Sequence, residues 1–200
     1  MISPNEFVAR WGADISPLVR FPAESLQTLK ISRDDREFLS KAGLPKSAAS
    51  WIGFHLPYFG SWILPEDELP SEDYRRIYLI GANGCGDPIA IDGTANGQVV
   101  ELFHEGRYAR RFMNTSVRHL AACLLAYRQF VVDTEKMNGE DAYLSGNIPP
   151  ELRRRVEEEL VSIDPAAMNP GSFWREQLDS MDYDISRYMA PIADFSKGKI

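Results

Sequence analysis

The run from Ile77 to Met113, IYLIGANGCGDPIAIDGTANGQVVELFHEGRYARRFM, decides the fold. Ile77-Tyr78-Leu79-Ile80 is short and wholly apolar, as a buried strand requires. Gly81 to Gly86 is turn material, and Ile89-Ala90-Ile91-Asp92 makes the next strand. Gly93 and Asn96-Gly97 bracket a second turn, because Asn-Gly takes the positive φ that hairpins need. Gln98 to His104, a turn at Glu105-Gly106, and Tyr108 to Met113 complete the pattern. Connections this short force neighbouring strands to pair antiparallel, so the centre reads as a β-meander.

Downstream, Asn114, Thr115 and Ser116 offer helix caps. Val117, Leu120, Ala121, Leu124, Leu125 and Arg128 follow the i, i+3, i+4 spacing of a buried helical face, expected to lie across the sheet. A polar loop at 138–149 precedes a helix in which Arg153, Arg154 and Arg155 face Glu157, Glu158 and Glu159, with Leu152, Val156 and Leu160 as its apolar line. A last helix at 172–181 turns Phe173, Trp174, Leu178 and Met181 to the core, and residues 196–200 are expected to fray. Upstream, Phe7, Val8 and Trp11 share one side of a short helix that Gly12 ends. A second helix starts at the cap Ser32, carries Asp34 and Asp35 in its first turn, and stops at Gly43-Leu44-Pro45. A strand follows at Trp51 to Phe54. The fold class is therefore α+β, a central antiparallel sheet packed by helices.

The chain has 200 residues with 44% apolar content, enough for one sizeable core and read as one domain over 1–200. A net charge of −7 disfavours a nucleic-acid backbone as partner and leaves room for a basic protein. No secretory signal opens the sequence, and Leu120 to Val132, its most apolar stretch, is too short to span a bilayer. Two cysteines, Cys85 and Cys123, make no disulfide framework. A cytoplasmic protein is the expectation.

Candidate chemistry is sparse. Gly81 to Asp87 has the glycines of a phosphate-cradling loop, but such loops open a helix, and this one feeds Pro88 and a strand. A structural turn is expected there, with a small-ligand sensor as the alternative. Cys85 acting as a nucleophile would need His55, His104 or His119 beside it. Those three histidines are the only ones in the chain and have no metal-ligand spacing, so neither catalysis, metal nor cofactor is expected. Cys123, among alanines and leucines, reads as a small core residue. One surface stretch stands out. Tyr58 and Trp62 lead into Glu66, Asp67 and Glu68, then Glu72, Asp73 and Tyr74, where rings supply contact area and carboxylates supply steering toward a basic partner.

The order of the segments resembles a known family. Gly43-Leu44-Pro45, Ile80-Gly81, Gly86-Asp87, Ile91-Asp92, Val99-Val100, Phe112 to Ser116 and the helix after it, Ile163-Asp164-Pro165 and Phe173-Trp174 are similar to the SUKH superfamily of bacterial immunity proteins. The likeness is to the subgroup with an Asn-x-Ser segment and a late Asp-Pro…Phe-Trp segment, and it covers about residues 20–180, by the spread of the matched segments. The resemblance implies an α+β fold and a protein that binds and neutralises a polymorphic toxin, often a nuclease or nucleic-acid deaminase. It implies no enzymatic activity, and it carries over no contact residue, because the contact surface varies with the toxin. A general protein-interaction scaffold is the alternative.

Overall fold

The computed structural model describes residues 1–12, 16–49, 51–56 and 63–181. Helix α1 spans Pro4–Trp11, with Pro4 in its first turn and the Ser3 hydroxyl accepting from the Glu6 N–H. Its buried face is Phe7 and Trp11. Strand β1, Leu18–Val19, pairs with β2, Leu44–Pro45, so the Leu-Pro expected to close a helix also makes a short ribbon. Helix α2 is Ala23–Gln27 and α3 is Arg33–Lys41. Ser32 caps α3 reciprocally: its hydroxyl accepts from the Asp35 N–H at 3.0 Å and donates to the Asp35 carboxylate at 2.7 Å. Gly43 follows at φ 76°, where a Cβ would lie 2.2 Å from the Val19 carbonyl oxygen, so both backbone angle and space demand glycine.

The meander is present as a five-stranded antiparallel sheet in the order β3-β4-β5-β6-β7. The strands are β3 Ile52–Phe54, β4 Ile77–Asn83, β5 Pro88–Asp92, β6 Gln98–Phe103 and β7 Ala109–Asn114. One expectation changes. Gly81 and Ala82 belong to β4, and the turn shrinks to Gly84-Cys85-Gly86, closed by the Asn83 N–H donating to the Asp87 carbonyl at 2.9 Å. Gly81 is glycine for another reason: a Cβ there would sit 2.2 Å from the Gly53 carbonyl oxygen, so β3 approaches too closely for a side chain.

Ile52, Phe54, Tyr78, Ile80, Ile89, Ile91, Val99 and Met113 line the sheet face that packs on the helices. Across it runs α4, Val117–Asn138, capped by Ser116 and ended by Gly139 at φ 105°. Arg128, expected on its buried face, is half-buried, its guanidinium 5.4 Å over the Trp11 ring and donating to the Arg10 carbonyl. The long stem packs, Nε is buried without a hydrogen-bond partner among the described residues, and an outer nitrogen reaches the Arg10 carbonyl. Helix α5 is Pro150–Ile163 and α6 is Phe173–Ser180. Arg153 and Arg154 meet Glu157 and Glu158 as expected, but Arg155 turns to Asp133 on α4, an inter-helix pair that helical spacing cannot anticipate.

Among the described residues no α-helix packs on the opposite sheet face. Ile77, Ala90, Val100 and Leu102 pack there with Leu64, and the cover is the segment from Leu64 to Tyr74. Two 3₁₀ turns shape it, Glu66–Glu68 and Glu72–Arg76, the second leading directly into β4.

Candidate partner-binding surface

The acidic segment is fastened to the sheet by aromatic and charged side chains. Leu64 is buried and Leu69 partly so, which anchors it. Tyr74 donates its hydroxyl to the Tyr108 carbonyl at 2.8 Å, and the Arg110 guanidinium lies 4.6 Å over its ring. Arg110 donates in turn to Asp92 at 2.7 Å. The Tyr108 hydroxyl donates to Glu68, which with partial burial pushes its pKa up to about 12. Tyr74 and Glu68 are therefore structural fasteners as well as surface groups. Asp67, Glu72 and Asp73 face outward, with Arg75 on Glu72 at 2.9 Å. Glu66 opens the first 3₁₀ turn, and Tyr58 and Trp62 lie outside the described residues.

At the tip of the β4–β5 hairpin the glycine turn is closed on itself. The Asn83 side-chain oxygen accepts from the N–H groups of Cys85 and Asp87, both at 2.9 Å. Its amide donates to the carboxylates of Asp87 (3.0 Å) and Glu101 (2.8 Å). The Cys85 and Asp87 N–H groups are thus turned to the Asn83 side chain rather than free for a phosphate, and the Asp87 and Glu101 carboxyl groups lie against its amide. Burial pushes the Asp87 carboxyl up, but the His104 N–H, the Asn83 amide and the His104 ring outweigh it and hold it below its ordinary value. His104 Nδ1 lies 2.6 Å from that carboxylate, so this histidine is engaged with Asp87. Cys85 is exposed at the tip.

Glu101 extends the cluster across the sheet. It is 1% exposed and accepts from Arg111 Nε at 2.6 Å, and Arg111 also donates to Glu176 on α6 and lies 5.5 Å from the Phe173 ring. This set joins β4, the β4–β5 turn, β6, β7 and α6. Sequence reading missed it; the available signal was Asn83 placed to bond Asp87 across the glycines, an Asx-type turn.

The segments behind the family resemblance form a buried polar clasp. Asn114, fully buried, donates to the Asp164 carboxylate at 3.1 Å and to Cys123 Sγ at 3.3 Å, and accepts from Trp174 Nε1 at 2.9 Å. Asp164 also accepts from the Thr115 N–H at 2.7 Å and hydroxyl at 2.8 Å. Burial pushes the Cys123 thiol pKa up, which keeps it an inert core thiol. His119 is half-buried with Nδ1 2.9 Å from the Ser116 hydroxyl. Among the described residues no group of three or more His, Cys, Asp or Glu could hold a metal, and no helix is long and apolar enough to cross a membrane.

No curated protein and no solved structure matches the chain. A family model does, over residues 2–180, and its description is SUKH-4 immunity protein. With the antiparallel sheet, the covering helices and the Asn114–Asp164–Trp174 clasp in place, the chain belongs to the SUKH-4 immunity protein family.

Proposed function

We propose that this immunity protein, one domain acting in the cytoplasm, neutralises a nuclease or nucleic-acid deaminase toxin by covering its active face rather than by chemistry of its own. The family match over residues 2–180 carries the reading. Support comes from the polar clusters: the Asn83 turn and the Asn114 clasp spend their donors on internal acceptors, as structural networks do. The outward carboxylates of Asp67, Glu72 and Asp73, with Glu66 and Glu68 in the same segment, suit a toxin whose substrate site is basic. Tyr74 holds that segment in place. Tyr58 and Trp62 precede it in sequence and extend the contact.

The test mixes the purified chain with each nuclease-like and deaminase-like toxin domain encoded in the same genome. Stoichiometric loss of one toxin's activity, with a stable complex on size-exclusion chromatography, is the expected result. Full toxin activity in excess protein across the whole set would overturn the reading.

A further inference from the structure

Trp51 opens the turn into β3 in a left-handed backbone conformation, φ 56°, and is 75% exposed. Both features cost free energy: a bulky side chain disfavours that φ, and the indole stays in water. Gly84 packs closely beside it, where a Cβ would lie 3.1 Å from the Trp51 Cβ. Trp51 and Phe103, itself 48% exposed, line a cleft of about 750 Å³ that also takes in Asp87, Glu101, Arg111 and Glu176. Arg111 is shared between Glu101 and Glu176, and Arg110, the other cation of the cleft, is committed to Asp92. The carboxylates are in excess, and the Glu176 side chain is 48% exposed.

We propose that this cleft receives an arginine side chain of the toxin domain, a proposal that rests on the toxin-binding reading above. Arginine fits on two counts. Its planar guanidinium stacks on aromatic faces such as Trp51 and Phe103, and it pairs with carboxylates through a fork of donors. An exposed tryptophan beside a charge-complementary cleft is the composition of an interface hot spot. The chain's net charge of −7 draws basic partners toward it at longer range.

The probe is N-acetylargininamide, titrated into the full chain labelled with 5-fluorotryptophan, with the Trp51 signal assigned by Trp51→Phe. N-acetylcitrullinamide, the neutral isostere, is the control. The expected result is a saturable ¹⁹F shift at Trp51 with the arginine probe, absent with citrulline and weakened by Glu176→Gln. No saturable shift, or equal shifts with both probes, overturns the proposal. With a toxin in hand, Trp51→Ala and Glu176→Gln should each weaken its binding, on the order of tenfold or more for the tryptophan. Unchanged affinity would also overturn the cleft while leaving toxin neutralisation standing. A toxin that fails to bind the unaltered protein removes the function reading instead, and the arginine titration still decides the cleft.

Discussion

The indole nitrogen of Trp174 donates to the side-chain oxygen of Asn114 at 2.9 Å, across 60 positions of sequence. Asn114 ends β7 and Trp174 sits in α6, so this bond and the Asp164 bonds tie the last strand to the last two helices. A carboxylate as buried as Asp164 is tolerable only while its donors are present. Asp164→Ala strips acceptors from the Thr115 N–H, the Thr115 hydroxyl and the Asn114 amide together. It should cost about 3 kcal/mol or more of stability in urea unfolding, and Trp174→Phe about 1 kcal/mol. A loss below about 1 kcal/mol for Asp164→Ala would mean the clasp is not structural.

The glycines divide into two kinds. At Gly43 a new Cβ would run into the Val19 carbonyl at 2.2 Å, an obstacle of backbone that cannot swing aside. At Gly86 the φ is +90° but nothing lies within 4 Å. Gly86→Ala should cost about 1–2 kcal/mol through the backbone angle alone. Gly43→Ala should cost clearly more, roughly 3 kcal/mol or beyond, or fail to fold. Equal melting temperatures for the two variants would contradict the packing around Gly43.

Those glycines also show where sequence reading stops. The apolar runs of β4 and β5, the periodic face of α4 and the caps Ser32 and Ser116 were legible because each is written in neighbouring residues. Gly81 looked like a turn because its reason, the approach of Gly53, lies elsewhere in the chain. The Asn83–Glu101–Arg111–Glu176 chain was invisible for the same cause: its members come from distant segments, and polar pairing has no period. Tyr74 was read as a contact aromatic, yet its ring and hydroxyl hold the segment to Arg110 and Tyr108, a role fixed only when β7 is in place.

Two aspartates should respond to acid in opposite directions. Burial raises the Asp35 pKa from 3.8 against the opposing Ser32 and Val117 hydrogen bonds. The folded state therefore holds that proton more tightly than the unfolded chain, and stability falls as pH rises from 3.8 through the folded value. Asp35→Asn removes that cost, so its stability relative to the parent should be better at pH about 7 than at about 3. Asp87 is held below 3.8, so its contribution is present above that value and disappears as pH falls through the folded value. The destabilisation caused by Asp87→Asn should shrink in acid. Parallel pH profiles for the two variants in thermal unfolding would contradict these assignments.

Asp67, Glu72 and Asp73 face outward, and among the described residues only Glu72 of the three has a cation drawn against it, Arg75 at 2.9 Å. Exposed charges of this kind change encounter rates more than they change stability. Reversing Asp67 and Asp73 to lysine should leave the melting temperature nearly unchanged, because neither fastens the segment to the sheet. Association with a basic toxin should slow by on the order of tenfold at low salt, with the gap closing as added salt shortens the Debye length. Reversing Glu68 is different, since it also removes the Tyr108 bond, so it should lower stability as well as the association rate. Stopped-flow binding at two ionic strengths separates the effects. An on-rate untouched by the Asp67 and Asp73 reversals at low salt would remove this face from the encounter surface and leave the Trp51 cleft to carry recognition.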